Sequence, residues 1–453
     1  MPRYLALSLA LAPLLACSSD DASSAPPPPP VAVASISIAG MPDSAMVGDV
    51  IRLTAATRDA AGATLAGRTV TWSATDTSLA AVAADGAVTV RAHGPFSVTA
   101  TSEGKTASAA SRGILARAVD RFAYATIAGA AGSATASRVM NATGGGVRAT
   151  MNASGDAVVT FERLARAEAG WRETVMVTRA GSIATRCHLN GWGTASNRRD
   201  LEVSVSCYAT DGTKLPGTFS ILVVGANTLQ GRHGFVESTD AAATHTPAAD
   251  RGFNSSGTPM SITRSSAGRY RVVVGNARPA GKTENYFVTT MGPDAGTCLL
   301  SGWAFGDSSD VDCTVLGAAR ADARFSLQLI EAGRAGRRWA YAWNNHVAGP
   351  LGAEASVSTS YAASSTAQVA AVTRQTVNGV TNGVYDVRFP GLGGLVGSPF
   401  NIQVSPYTSG SATCVPGSTS AANGGADLLV RVECFDRYSF APTNAYFTIL
   451  VIE

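Results

Sequence analysis

Apolar residues recur at every second position in short runs along most of the chain. Ser35-Ile36-Ser37-Ile38 alternates, as do Leu201, Val203, Val205 and Cys207, and later Leu428, Val430, Val432 and Cys434. A period of two puts successive side chains on opposite faces of a strand, so each run predicts a strand with one buried face. Turn signals separate the runs: Val47-Gly48-Asp49, Asp59-Ala60-Ala61-Gly62 and Asp85-Gly86. The best helical candidate, Arg163 to Arg172, is short and interrupted by Gly170. The pattern predicts an all-β chain.

The seven cysteines add a longer period. Setting Cys17 aside, six fall into pairs: Cys187 and Cys207, Cys298 and Cys313, Cys414 and Cys434. The first members stand 111 and 116 residues apart, which marks three internal repeats. Twelve residues after each second cysteine stands an aromatic, Phe219, Phe325 or Tyr446, at the head of an apolar closing strand. Five residues after the first cysteine stand Trp192 and Trp303, with Thr419 in the third repeat. Each unit opens on aromatics: Phe122 and Tyr124, Phe235, Trp339 and Tyr341. Six cysteines allow 15 pairings, and the repeat selects the one that bridges neighbouring strands within each unit. Metal ligation is a poor alternative: there is no CxxC, and His93, His188, His233, His245 and His346 are scattered. We expect three β-sandwich or jelly-roll-like repeats at 118–226, 232–332 and 337–453, with glycine- and arginine-rich joints near Gly231-Arg232 and Gly333 to Arg338 acting as linkers.

Composition changes this picture little. The 453 residues suit several domains, and 45% hydrophobic content supplies their cores. A net charge of +3 spread over that length excludes an electrostatic case for nucleic acid. Residues 1–17 hold one cation, Arg3, then an apolar run from Tyr4 to Leu15 that is too short to span a bilayer, which needs about 20 residues. This is an export signal, and an oxidising destination favours disulfides. Residues 18–32, with prolines from Pro26 to Pro30, read as an extended tether.

Two resemblances refine the reading. Leu14-Leu15-Ala16-Cys17 resembles the lipobox of bacterial lipoproteins, which implies that the Cys17 thiol is acylated and anchors the chain to a membrane. Ser18, where some members carry Asp, implies the outer membrane of the cell envelope, facing outside or periplasm. Residues 33–113 resemble the bacterial Ig-like domain of group 2. The match runs through Gly48-Asp49, Leu53-Thr54-Ala55, Val70-Thr71-Trp72-Ser73, Asp85-Gly86-Ala87-Val88-Thr89 and Val98-Thr99-Ala100, and departs at Gly94-Pro95-Phe96. It implies an N-terminal Ig-like β-sandwich of the kind used in surface proteins, and no reaction. The repeats resemble exported sequences that bring no activity with them.

Catalytic signatures are missing. There is no Gly-x-Ser-x-Gly, no His-Glu-x-x-His, and no phosphate-binding glycine loop. Ser102-Glu103-Gly104-Lys105 matches Ser-x-x-Lys only formally, at a strand end. Trp192 and Trp303 read first as core aromatics and second as sugar platforms. The most binding-like cluster is Trp343-Asn344-Asn345-His346, an aromatic beside amides that suits a polar ligand. We expect a non-enzymatic surface lipoprotein without cofactor or metal, whose β-modules bind a polysaccharide or a surface protein. The alternative is an envelope glycan hydrolase with carboxylates in one repeat.

Overall fold

The computed structural model describes residues 30–114, 121–165, 172–181, 186–197, 199–275, 282–293, 296–304, 308–315, 319–407 and 411–453. The expected export signal, Cys17, most of the expected tether and the centre of the helical candidate lie outside the described residues. The chain is all-β: 56% of it is strand and 2% helical, the latter as three-residue 3-10 turns such as Thr359–Tyr361.

Residues 30–114 form a small sandwich. Thr71–Ala74, Gly94–Ser102 and Lys105–Ile114 run antiparallel, with Ala45–Met46 added in parallel at the edge. Val50–Arg52, Ala87–Val90 and Ala80–Val82 pack opposite. Leu53, Val88, Val90, Phe96 and Val98 fill the space between, with Trp72 against them. The Asp85-Gly86 turn requires its glycine: φ is +82°, and a Cβ would lie 2.8 Å from the Leu53 carbonyl oxygen.

Each of the three repeats is a sandwich of two sheets. The first sheet places the closing strand (Phe219–Gly225, Arg324–Ile330 or Tyr446–Ile452) between an opening strand (Phe122–Ala130, His233–Glu237 or Trp339–Asn344) and an axial strand (Glu173–Arg179, Asn285–Met291 or Asn401–Tyr407). The second sheet ends in the two cysteine strands: Arg186–Thr194 with Leu201–Tyr208, Thr297–Ala304 with Ser308–Thr314, and Ala412–Ala422 with Asp427–Asp436. Cys187 bonds Cys207, Cys298 bonds Cys313 and Cys414 bonds Cys434, each directly across an antiparallel pair. All six sulfurs face their own sandwich core, as period-two placement requires.

The sandwiches are not separate beads. The first cysteine strand of repeat 1 joins the axial strand of repeat 2 in parallel, through Leu189 and Met291, giving one eight-stranded sheet. Leu300 and Tyr407 do the same between repeats 2 and 3. The third joint closes the circle, because the Gly181 N–H donates to the Pro416 carbonyl at 3.4 Å, where Gly292 donates to Leu189 at 2.9 Å. Three first sheets therefore surround a common axis.

Polar residues mark that axis. The Val404 N–H donates to the Thr178 hydroxyl at 3.1 Å, Val177 to Thr289 at 3.2 Å, and Val288 to Ser405 at 3.1 Å. Each repeat caps a backbone group of the one before it in the ring, so three buried hydroxyls are engaged in rotation. Above them, Phe122, Tyr124, Met176, Leu222, Phe287, Ile330, Tyr341, Leu450 and Ile452 form an apolar core drawn from all three repeats.

Tyr446 heads the closing strand Tyr446–Ile452 as expected, but it is 40% exposed, and the buried aromatic equivalent to Phe219 and Phe325 is Phe447. The Tyr270–Phe325 ring contact at 5.1 Å has its counterpart in Tyr385–Phe447 at 5.4 Å. The turn before the last strand is one residue longer, which shifts the count from Cys434. The joints expected to be linkers are also packed. The Arg232 side chain reaches both Glu284 and Glu331, and a Cβ on Gly333 would lie 2.2 Å from the Trp339 ring.

Candidate functional site

Pseudo-threefold packing makes the three joints comparable residue by residue. The shared register puts four positions together at each, one from the first cysteine strand and one each from the next repeat's axial, opening and closing strands. Between repeats 1 and 2 they are Trp192, Met291, Glu237 and Arg324. Between repeats 3 and 1 they are Thr419, Ala180, Thr126 and Thr218. Between repeats 2 and 3 they are Trp303, Tyr407, Trp343 and Tyr446, all aromatic.

The first joint is closed by charge. Glu237 accepts from Arg251 at 2.8 Å and from Arg324 at 3.0 Å, and the Trp192 indole N–H donates to Glu173 at 3.0 Å. Trp192 otherwise packs on the repeat 1 core. The third joint has small side chains around a cavity of about 160 Å³, partly covered by Arg138, which lies 4.8 Å above the Phe400 ring.

The second joint is an aromatic cluster. Trp303 lies 4.4 Å from Tyr407, 5.0 Å from Tyr361 and 5.5 Å from Trp343. Trp343 stacks on Tyr446 at 6.1 Å with the planes 25° apart. Tyr446 presents an open face to solvent, while Trp343, Trp303 and Tyr407 are half-buried. The Trp343 indole N–H and the Asn345 side-chain oxygen are buried without a protein partner, which leaves one donor and one acceptor for water or a ligand. Burial first, then Tyr361 and the Asp310 carboxylate, push the Tyr407 hydroxyl up, so it stays a neutral donor at ordinary pH.

Asp310 links the aromatics to a neighbouring groove of about 450 Å³ lined by Thr263, Arg269, Arg271, Ser301, Asp310 and Asp312. Its carboxylates are clamped. Arg271 forks onto Asp310 at 2.9 and 3.1 Å, and Arg320 and Arg269 reach Asp312 at 2.8 and 3.4 Å. Both aspartates are thus engaged as acceptors for arginine, an arrangement that suits planar hydrogen bonding more than proton transfer.

The contiguous cluster expected at Trp343-Asn344-Asn345-His346 is split by strand alternation. Trp343 belongs to the aromatic joint. Asn344 is 1% exposed and structural, donating to the Ala445 carbonyl and accepting from the His346 N–H, so its amide does not face a ligand as the sequence suggested. His346 is held to the Ser356 carbonyl at 2.8 Å. Trp303, Tyr407 and Tyr446 complete the site. Trp303 was legible as a platform, but its partners become apparent only once the register across the joint is known. Ser102 is buried and Lys105 faces it across the hairpin register, with Glu103 bound to Arg68. Among the described residues no three His, Cys, Asp or Glu side chains gather as a metal site.

No protein-family model matches the chain, and no curated protein does. Solved structures give distant matches. An S-layer protein aligns at 13% identity and a TM-score of 0.18 over 63% of this chain, which spans 38% of that protein. Invasin, a bacterial integrin-binding protein, aligns at 12% identity and a TM-score of 0.22 over 91% of this chain and 78% of its own. Likeness at this level transfers no function.

Proposed function

We propose that the protein is a non-enzymatic lipoprotein of the bacterial envelope that binds a glycan at the aromatic joint between repeats 2 and 3. The observation that carries the reading is the contrast among equivalent joints: one is closed by ion pairs, one is lined by small residues, and one alone presents Trp303, Trp343, Tyr407 and Tyr446. Aromatic faces stack on the apolar faces of sugar rings, and the adjoining Arg271–Asp310 pair offers the planar polar partners that sugar hydroxyls need. The lipobox resemblance supports anchoring through Cys17 to the outer membrane, and the Ig-like sandwich and proline tether would hold the site away from the lipid. The unpartnered Trp343 indole N–H and Asn345 side-chain oxygen beside the aromatic faces favour a polysaccharide over a surface protein. The hydrolase alternative is weakened by the arginine clamps on Asp310 and Asp312.

A glycan array probed with the full chain tests this. Wild type should retain a polysaccharide, and Trp343→Ala or Tyr446→Ala should lose it while Trp192→Phe keeps it. Retention unchanged in both aromatic variants refutes the site. Release of reducing ends that disappears in Asp310→Asn refutes the non-enzymatic reading.

A further inference from the structure

The two ends of the threefold axis differ. At one end each repeat contributes an arginine already paired with glutamate: Arg121 with Glu173, Arg232 with Glu284 and Glu331, Arg338 with Glu453. At the other end the equivalent positions are Arg179, Thr290 and Pro406, which face the closing aromatics or their neighbours in register, and Arg186, Thr297 and Thr413, which immediately precede the first cysteines. Both arginines come from repeat 1. These six side chains line one cavity of about 60 Å³ on the axis.

The donors in this cavity have few acceptors. Arg179 is 5% exposed, and none of its three guanidinium nitrogens has a hydrogen-bond partner. Arg186 is also 5% exposed; one of its nitrogens donates to the Ala209 carbonyl at 3.1 Å, and its Nε has no partner. The Thr297 hydroxyl, from repeat 2, is buried without a partner as well. Glu433 is the carboxylate whose field reaches Arg179, but no hydrogen bond joins them, and Arg437 adds further positive charge beside Arg186. Burial pulls the Arg179 guanidinium down to about 10, which still leaves it cationic at neutral pH. A buried guanidinium without an acceptor is strongly unfavourable, and a fork of N–H groups matches oxyanion geometry. The volume holds roughly four or five water-sized atoms, the size of a carboxylate, sulfate or phosphate group.

We propose that this axial cavity binds a small oxyanion, held by Arg179 and Arg186 of repeat 1 and the Thr297 hydroxyl of repeat 2. The anion would fasten the repeats together at the end of the axis where no glutamate bonds the arginines. The inference rests on different residues from the glycan reading and stands or falls without it.

The test uses the purified full chain, with inorganic phosphate and acetate as probes at constant ionic strength made up with chloride. Calorimetric titration should show one phosphate or acetate per chain, and the melting temperature should climb with its concentration. Arg179→Met should abolish both responses, and in oxyanion-free buffer it should melt no lower than wild type, because the uncompensated cation is gone. Arg186→Gln should bind at least about tenfold more weakly, and gives a second readout should Arg179→Met not fold. Response to phosphate but not acetate assigns the site to tetrahedral oxyanions, and response to both assigns it to oxyanions generally. An unaltered response in either variant, no response in wild type, or an Arg179→Met that is less stable than wild type without oxyanion would each overturn the proposal. The last result would mean that Glu433 is the partner.

Discussion

Arg121, Arg232 and Arg338 occupy one position in three repeats, so replacing each with Met is a single experiment run at three depths of burial. Arg121 and Glu173 are 1% and 0% exposed; Arg232 and Glu284 are 16% and 1%; Arg338 and Glu453 are 36% and 21%. Arg121 also donates to the carbonyls of Ala165 at 2.8 Å and Leu164 at 3.0 Å, so Met removes the donor to two carbonyls as well as the cation beside the Glu173 carboxylate. Removing one partner of a fully buried pair costs about 3–5 kcal/mol, whereas a solvent-screened pair contributes about 1 kcal/mol or less. We expect Arg121→Met to lose about 4 kcal/mol, Arg338→Met no more than about 1 kcal/mol, and Arg232→Met a value in between. Urea denaturation at neutral pH measures the series, with the midpoint falling and the slope unchanged. The double variant Arg121→Met/Glu173→Met should recover part of the loss, because no charge is then left alone. Equal losses at the three positions, or a larger loss at Arg338 than at Arg121, would refute the claim that burial sets the cost.

Three further outcomes follow from other parts of the chain. Cys17→Ser should stop incorporation of labelled palmitate, and continued labelling would remove the lipid anchor from the proposed function. Asp322, held to about 2 chiefly by the Arg264 fork at 2.9 Å, has a depressed folded pKa, so its contribution is present above about pH 4 and lost as pH falls toward 2; Asp322→Asn should flatten that limb of a stability–pH curve, and an unchanged limb counts against it. Replacing Cys298 and Cys313 together with Ser opens a 15-residue loop and should cost about 3 kcal/mol by urea denaturation, against little change if the bridge contributes nothing.

The residues explain which features sequence reading could reach. Cysteine pairing was legible because period-two runs such as Leu201 to Cys207 put each thiol on a buried face and the repeat chose its partner. The sandwich class was legible for the same reason. The axis was not. Thr178, Thr289 and Ser405 look like solvent-facing members of alternating strands, and only assembly of three sheets turns that face inward. The shift from Tyr446 to Phe447 arises from one extra residue in a turn, which spacing counts cannot detect. The aromatic joint escaped for a related reason. Trp303, Trp343, Tyr407 and Tyr446 are up to 143 residues apart in sequence, and they converge through a parallel strand pairing that local pattern does not encode. Conversely, Asn344 beside Trp343 looked like part of a site because neighbours in sequence share a place in a loop, but in a strand they point apart.

A ring that shuts on its third member has a fixed membership. Open solenoids change reach by gaining or losing units, since each contacts only its neighbours. Here a fourth unit would have no place, because the Gly181–Pro416 contact already occupies the edge where it would attach. Diversification of such a molecule is confined to what fills its three joints, and the charged, small and aromatic fillings seen in this chain are three different answers written on one frame.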